Sequence, residues 1–408
     1  DGRRQQQFRD LLVVAQLTLA IVLLAGSGLL LRGLYLLLHT DRGFTTEHVL
    51  TLQTALSGTE PADKNIAAAI YSPELDAIER IPGVKAAGFI TFLPLSNGHA
   101  TASFLIKGSQ DPGPDARPRV SLNAASDDFF RALRIPLLAG RFFAKTDTLG
   151  KPRVAIVNDI LAHRYFAGQD PIGKQIAFDD PDFQSNPITI IGVVAGSRQI
   201  GLAIPSDAEL YLNFRQVPPA TLWSEFLLKQ IMTYVVRSSG DPAAMVNEVQ
   251  RAIRRVDPEQ TVFHVATMQE IVSASVEGRR LAALLLSVLA GLAIVVAAAG
   301  LYGVLSYLIF QKRRDIAVRM AVGARKNDVL WMLVSRALAL YAVGAGCGLL
   351  GVIWCGRLLS NMLVGIRPWD PGALGITTAV LLVIVVLAAW LPARRAASID
   401  PYRVLRSE

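Results

Sequence analysis

The sequence predicts a membrane protein with four transmembrane α-helices and one large α+β extracytoplasmic domain. Three observations carry that expectation. Residues 11–38, 281–310, 329–359 and 373–391 are apolar runs containing no Asp, Glu or Lys, in a chain of 408 residues that is 52% hydrophobic. Residues 39–280 instead have the mixed composition of a water-soluble domain. Charge divides along the same lines: residues 40–280 carry a net −2, and the rest of the chain carries +10. A bilayer core is crossed by about 20 apolar residues in a helix, and helices satisfy their own backbone groups in lipid.

The first apolar run follows Arg3, Arg4 and Arg9, as a signal peptide would. Its apolar stretch exceeds the ~7–15 residues of a signal core, so a retained anchor is the better reading. Position 1 is Asp, which predicts a fragment or processed product. Basic residues cluster in three places: within flank 1–10, around segment 311–328, and in tail 392–408. The positive-inside rule puts all three in the cytoplasm and leaves 39–280 and the short loop 360–372 outside. The basic balance is thus a topology signal, and the polar domain shows no basic stripe with interleaved aromatics for nucleic acid. Cys347 and Cys355 lie ~12 Å apart along one helix, too far for a disulfide within it.

In the outer domain, residues 49–54 read as a strand, 64–81 as an amphipathic helix and 84–93 as a strand. The pattern recurs as strand 233–237, helix 242–256 with Pro242 in its first turn, and strand 262–266. Two such units flanking an insertion predict a split βαβ, ferredoxin-like subdomain. The insertion, about 126–218, is richer in Gly, Pro and Asp and reads as a second subdomain. Helices are expected at 127–133 and 159–166, and strands at 154–157, 188–194 and 209–214.

Few residues invite catalysis. Gly168 to Gln175 nearly matches G-x-x-x-x-G-K-[ST], but Gln175 replaces the magnesium-binding hydroxyl and a strand-like stretch follows. A turn entering a strand is the ordinary reading. The five histidines lack metal-ligand spacing and no nucleophile elbow is present. Catalytic, cofactor and metal residues are accordingly expected to be none. Arg32 and Arg336 sit near the ends of apolar runs, where long basic side chains snorkel to headgroups. Gly300 and Gly303 in the second run, and Gly344 and Gly348 in the third, are expected to permit close helix packing.

One motif speaks to function. The segment Lys312–Ala324 is basic, short and amphipathic, and is held on both sides by membrane helices. As a helix it gathers Ile316 and Met320 with Gly323 or Ala324 on one face, while Arg313, Arg314 and Arg319 take others. Such a ridge fits a groove on an acidic partner; the alternative is an interfacial helix whose arginines meet anionic lipid. This segment resembles the basic-acidic-Ile-x-x-Arg-x-Ala-x-Gly-Ala stretch of MacB/FtsX-type ABC transporter permeases, with Asp315 at the acidic position. Pro392–Pro401 with Leu405–Glu408, Gly300–Tyr307, Asp128–Phe130 to Gly140–Phe143, and Asp170–Lys174 resemble other parts of that family. The resemblance is nearest to its duplicated members, of which this chain would be a second half.

The resemblance implies a permease that moves with a cytoplasmic ATP-binding cassette subunit, which carries the ATP; this chain itself has no ATPase domain and is not an enzyme. It implies pairing as a homodimer or with a homologous half, a periplasmic adaptor, and residence in the inner membrane. The coupling interface would comprise Arg313, Arg314, Asp315, Ile316, Arg319, Met320, Ala321, Gly323 and Ala324. The function expected is export or extraction of a substrate. An alternative is an FtsX-like signalling or scaffold protein that regulates an outer partner without transport. A membrane-tethered enzyme is the third reading, and would require a cluster of perturbed titratable groups in an outer cleft.

Overall fold

The computed structural model describes residues 2–57, 64–96, 98–180, 183, 185–311, 326–358 and 371–397. The chain divides into two units, residues 39–276 and residues 1–38 with 277–408.

In the first unit, strand β1 (Val49–Ala55) leads through a π-helical turn (Ala67–Tyr71) into helix α2 (Ser72–Glu79) and strand β2 (Val84–Ile90). The expected helix 64–81 is thus divided. Pro73 has no N–H to bond residue 69, and the Ser72 N–H reaches back five residues to the Ala67 carbonyl. Strands β3 (Thr101–Ile106) and β4 (Arg119–Ala125) follow, then α3 (Phe129–Leu133), β5 (Leu137–Gly140), β6 (Val154–Asn158) and α4 (Asp159–Tyr165). Next come β7 (Gln175–Phe178), β8 (Ile188–Val194), β9 (Glu209–Asn213), α5 (Leu222–Leu227), β10 (Met232–Ser238), α6 (Val246–Val256) and β11 (Thr261–Thr267).

Strands β11, β1, β10 and β2 neighbour one another in that order, and every pair is antiparallel. Each β-α-β unit therefore holds a strand of the other between or beside its own two. Helix α6 shows why the pattern works. The expected helix 242–256 opens as a 3₁₀ turn, Pro242–Met245, where Asp241 accepts the Ala243 N–H, and in α6 proper Val249, Ala252 and Ile253 are buried while Arg251, Arg254 and Arg255 face water.

The inserted part differs from the expectation in where it begins and how it closes. It starts at β3, because β3 and β4 pair with the inserted strands, and β4 pairs with β2 at Ala125 opposite Ile90 alone. Around the insertion, β4, β3, β7, β8, β6 and β9 pair successively, and β9 returns to β4, so the six strands form a closed ring. Closure removes the free edges that invite aggregation. The core is also continuous with that of the first four strands, through Phe89, which packs 4.7 Å from Phe214 and 5.0 Å from Tyr71. The Gly168–Gln175 stretch is a turn: Gly168 and Gly173 take positive φ, the Lys174 N–H bonds the Pro171 carbonyl, and β7 follows.

The second unit comprises α1 (Gly2–His39), most of α7 (Met268–Gln311), α8 (Lys326–Leu358) and α9 (Pro371–Ala397). All four are long and apolar enough to cross a membrane. Helix α7 begins 13 residues before its apolar run, at a reciprocal cap. Thr267 N–H donates to Glu270 at 2.7 Å, and Glu270 N–H donates to the Thr267 hydroxyl at 3.2 Å. Val13, Leu17, Ile21, Leu301, Leu305, Leu333, Leu381 and Val385 form the bundle core. Leu281, Leu284, Leu285, Val288, Leu289 and Leu292 remain exposed, as side chains facing lipid do.

Candidate functional site

In the membrane unit the small residues decide how close the helices come. A methyl group added at Gly344 would lie 2.9 Å from Leu17 Cβ, and one at Gly348 would lie 2.8 Å from Ile21 Cγ2. Gly351 continues the ridge against Val22 at 3.1 Å. Helix α1 therefore lies directly on the α8 backbone, and the Thr18 hydroxyl donates to the Gly344 carbonyl at 3.3 Å. On α7, a methyl at Gly300 would collide with Gln16 Oε1, whereas nothing lies within 4 Å at Gly303. Polar side chains add links between helices: Ser27 with Ser287 at 2.7 Å, and Tyr341 Oη donating to the Thr378 carbonyl at 2.6 Å. Such bonds are worth about 0.6–2 kcal/mol in a membrane.

At the N-terminal end of α1, consecutive residues engage two different helices. The Arg9 guanidinium lies 4.0 Å from the centre of the Tyr307 ring on α7. Asp10 accepts from Arg336 Nη2 on α8 at 2.8 Å. Arg336 therefore has a carboxylate partner in place of the headgroup contact expected for it. Sequence reasoning missed Asp10 and Tyr307; the available signal was a lone acid at the edge of an apolar run with an arginine inside another.

The residues expected to couple the chain to an ATPase, Arg313, Arg314, Asp315, Ile316, Arg319, Met320, Ala321, Gly323 and Ala324, lie outside the described residues. The helices that bound them, α7 and α8, end and begin at Gln311 and Lys326.

The outer unit buries two carboxylic acids. Glu74 on α2 is fully buried and accepts from the Tyr234 hydroxyl; burial raises its pKa to about 8, with Asp257 adding repulsion. Glu209 on β9 is likewise buried beside the Tyr211 hydroxyl, and burial raises its pKa to about 8. Burial thus favours the protonated form of each acid at neutral pH. Asp127, itself buried, pairs with the partly buried Arg215 at 3.2 Å, and Arg215 also donates to Ser72. Arg237 donates to the carbonyls of Ala132 and Glu47, joining β10, α3 and the segment before β1. In the stretch 128–143, Phe130 stacks on Phe142 and Arg141 clasps Asp147 through both oxygens, at 2.7 and 2.9 Å. Among the described residues no group of three or more His, Cys, Asp or Glu is placed to hold a metal ion.

Comparison with known proteins accounts for both units. The MacB-like periplasmic core domain matches residues 11–256, and the FtsX-like permease C-terminal domain matches residues 287–401. The chain belongs to the MacB/FtsX family of ABC transporter permeases. Among curated relatives of this permease, the pyoverdine export ATP-binding/permease protein PvdT of Pseudomonas syringae pv. tomato is 23% identical, covering 86% of this chain and 51% of PvdT. The macrolide export ATP-binding/permease protein MacB of Hahella chejuensis is 28% identical over 71% of this chain and 43% of its own length. YknZ of Bacillus subtilis, an uncharacterised ABC transporter permease, is 23% identical over 71% of this chain and 70% of its own. The permease thus spans about half the length of PvdT and MacB. It is a membrane protein with an extracytoplasmic domain.

Proposed function

We propose that this chain transmits ATP-driven motion from a cytoplasmic ATP-binding cassette subunit across the membrane to its outer domain, for export or extraction of a substrate. The observation that carries the reading is the match of both halves of the chain to one permease family, whose C-terminal match spans the 311–328 segment. PvdT and MacB are named as ATP-binding/permease proteins, and YknZ as a permease alone, which supports an ATP-binding function in a partner of this chain. ATP belongs to that partner, and the chain is not itself the enzyme. Both termini and 311–328 face the cytoplasm, the large domain faces the periplasm, and the membrane is the inner one. The charge division supports this orientation. The chain pairs with a second copy or a homologous half, and the outer domain meets an adaptor protein.

In this reading Ile316 and Met320, with Gly323 or Ala324, seat in a groove of the cassette, flanked by Arg313, Arg314, Asp315, Arg319 and Ala321. The test is to purify the full chain from its native membrane with whatever ATP-binding subunit accompanies it, and to repeat this with Met320→Asp and Arg319→Glu. Both variants are expected to insert normally and to lose permease-dependent ATP hydrolysis in nanodiscs. Unchanged hydrolysis in both would overturn the proposal.

A further inference from the structure

The membrane unit contains one arrangement that helix packing alone does not require. Residues adjacent in a helix point about 100° apart, so a neighbouring pair can reach two different helices. Arg9 and Asp10 do this, reaching Tyr307 on α7 and Arg336 on α8. Tyr307 stands four residues before the end of α7, and Arg336 ten residues after the start of α8. The two contacts thus tie α1 to the two helices that bound segment 312–325 in sequence. We propose that Arg9 and Asp10 form a positioning latch that makes α1 follow α7 and α8 when the ATPase subunit acts on that segment.

Three physical points support the latch. First, the Gly344, Gly348 and Gly351 ridge lets α1 lie close to α8, with the Thr18–Gly344 bond marking a register midway along the seam, and the Asp10–Arg336 pair adds a second fixed point toward the N-terminal end of α1. Two fixed points along one helix resist both sliding and rotation, which either alone resists less. Second, Asp10 Oδ1 and Arg336 Nε are buried and have no hydrogen-bond partner among the described residues. Each is thus the charged partner of the other, and since the side chains are otherwise 24% and 36% exposed, the pair acts mainly by holding one geometry. Third, α1 continues along the chain into β1, which lies inside the outer sheet between β11 and β10. Motion imposed on α1 is covalently continuous with that sheet.

The latch rests on the proposed coupling to an ATPase, so the experiment separates the two. The full chain, with Cys347→Ser and Cys355→Ser and a reporter at Leu36→Cys, is purified with its co-purifying ATPase in nanodiscs. Maleimide labelling of the reporter is timed with and without ATP. The parent is expected to change its labelling rate about threefold on ATP addition, a population shift of modest size. Asp10→Asn and Arg336→Gln are expected to abolish that change while the ATPase stays bound, and Arg9→Gln to diminish it. The exchanged pair Asp10→Arg with Arg336→Asp is expected to restore it, which a merely structural defect would not allow. Retention of the full change in Asp10→Asn and Arg336→Gln, or failure of the exchanged pair to recover it in a folded chain, overturns the latch. Absence of any bound ATPase from the parent overturns the coupling on which it rests, and the latch with it.

Discussion

Buried acids give the outer domain a pH signature that single residues determine. Glu74 and Glu209 both have pKa values raised to about 8 by burial. In the unfolded chain a glutamic acid titrates near 4.5, so the folded domain binds more protons across that interval. The stabilising contribution is complete below pH ~4.5 and is lost as pH rises toward about 8. The unfolding midpoint of the outer domain is expected to fall between pH 5 and 8, by the equivalent of ~2–4 kcal/mol for each acid. Glu74→Gln and Glu209→Gln are expected to flatten that fall, as measured by near-ultraviolet circular dichroism of the detergent-solubilised chain during heating; an unchanged slope would contradict the assignment. Arg215→Met tests the partly buried ion pair with Asp127. It strands Asp127 and is expected to cost ~3 kcal/mol, more than the double substitution Asp127→Leu/Arg215→Met.

Helix contacts set the next scale, where a glycine matters only if something lies against it. Gly348→Val is expected to force α1 away from α8, because its Cβ would meet Ile21 at 2.8 Å. The cost is ~1–3 kcal/mol or a loss of bundle order. Gly346→Val is the internal control, since nothing lies within 4 Å of that position. Thermostability in detergent should separate the two variants, and equal loss would remove the close seam. At the start of α7, Thr267→Ala removes half of the reciprocal cap and is expected to fray the first turn at a cost of ~1 kcal/mol, visible as faster amide exchange over residues 268–271. This cap was legible in the sequence as Thr-x-x-Glu, yet the apolar run that dominates the region placed the helix start at 281. The π-helical turn before Pro73 was less legible, because the periodicity of Ile66, Ile70, Leu75 and Ile78 survives it.

At the scale of the whole chain, charge is the informative quantity. The +10 carried outside residues 40–280 predicts that protease applied to spheroplasts removes material from 39–276 and leaves an epitope after residue 392 protected. Cleavage of the epitope under those conditions would reverse the orientation. The outer unit was readable in part. Helix α6, buried on one face, carries the 3.6-residue pattern that identifies it, whereas β1 and β10 are buried along nearly their whole length and read as short β-rich runs. Strands β3, β4 and β5 went unassigned: β5 has only four residues, and β3 and β4 flank a Gly- and Pro-rich connection and take part of their pairing from strands distant in sequence. The β4–β9 pairing that closes the ring joins residues nearly 90 positions apart, and no local signal encodes it.

Apolar length, charge placement and linked motifs by themselves determined that the chain is a four-helix membrane permease with a domain outside the bilayer, because solvent sorts such features without reference to contacts. The tertiary structure alone decided which glycines meet a neighbour, that Asp10 and not a lipid headgroup pairs with Arg336, and that two acids stay protonated inside the outer core. Those outcomes depend on distances of a few ångströms between residues up to 326 positions apart, and only packing fixes such distances.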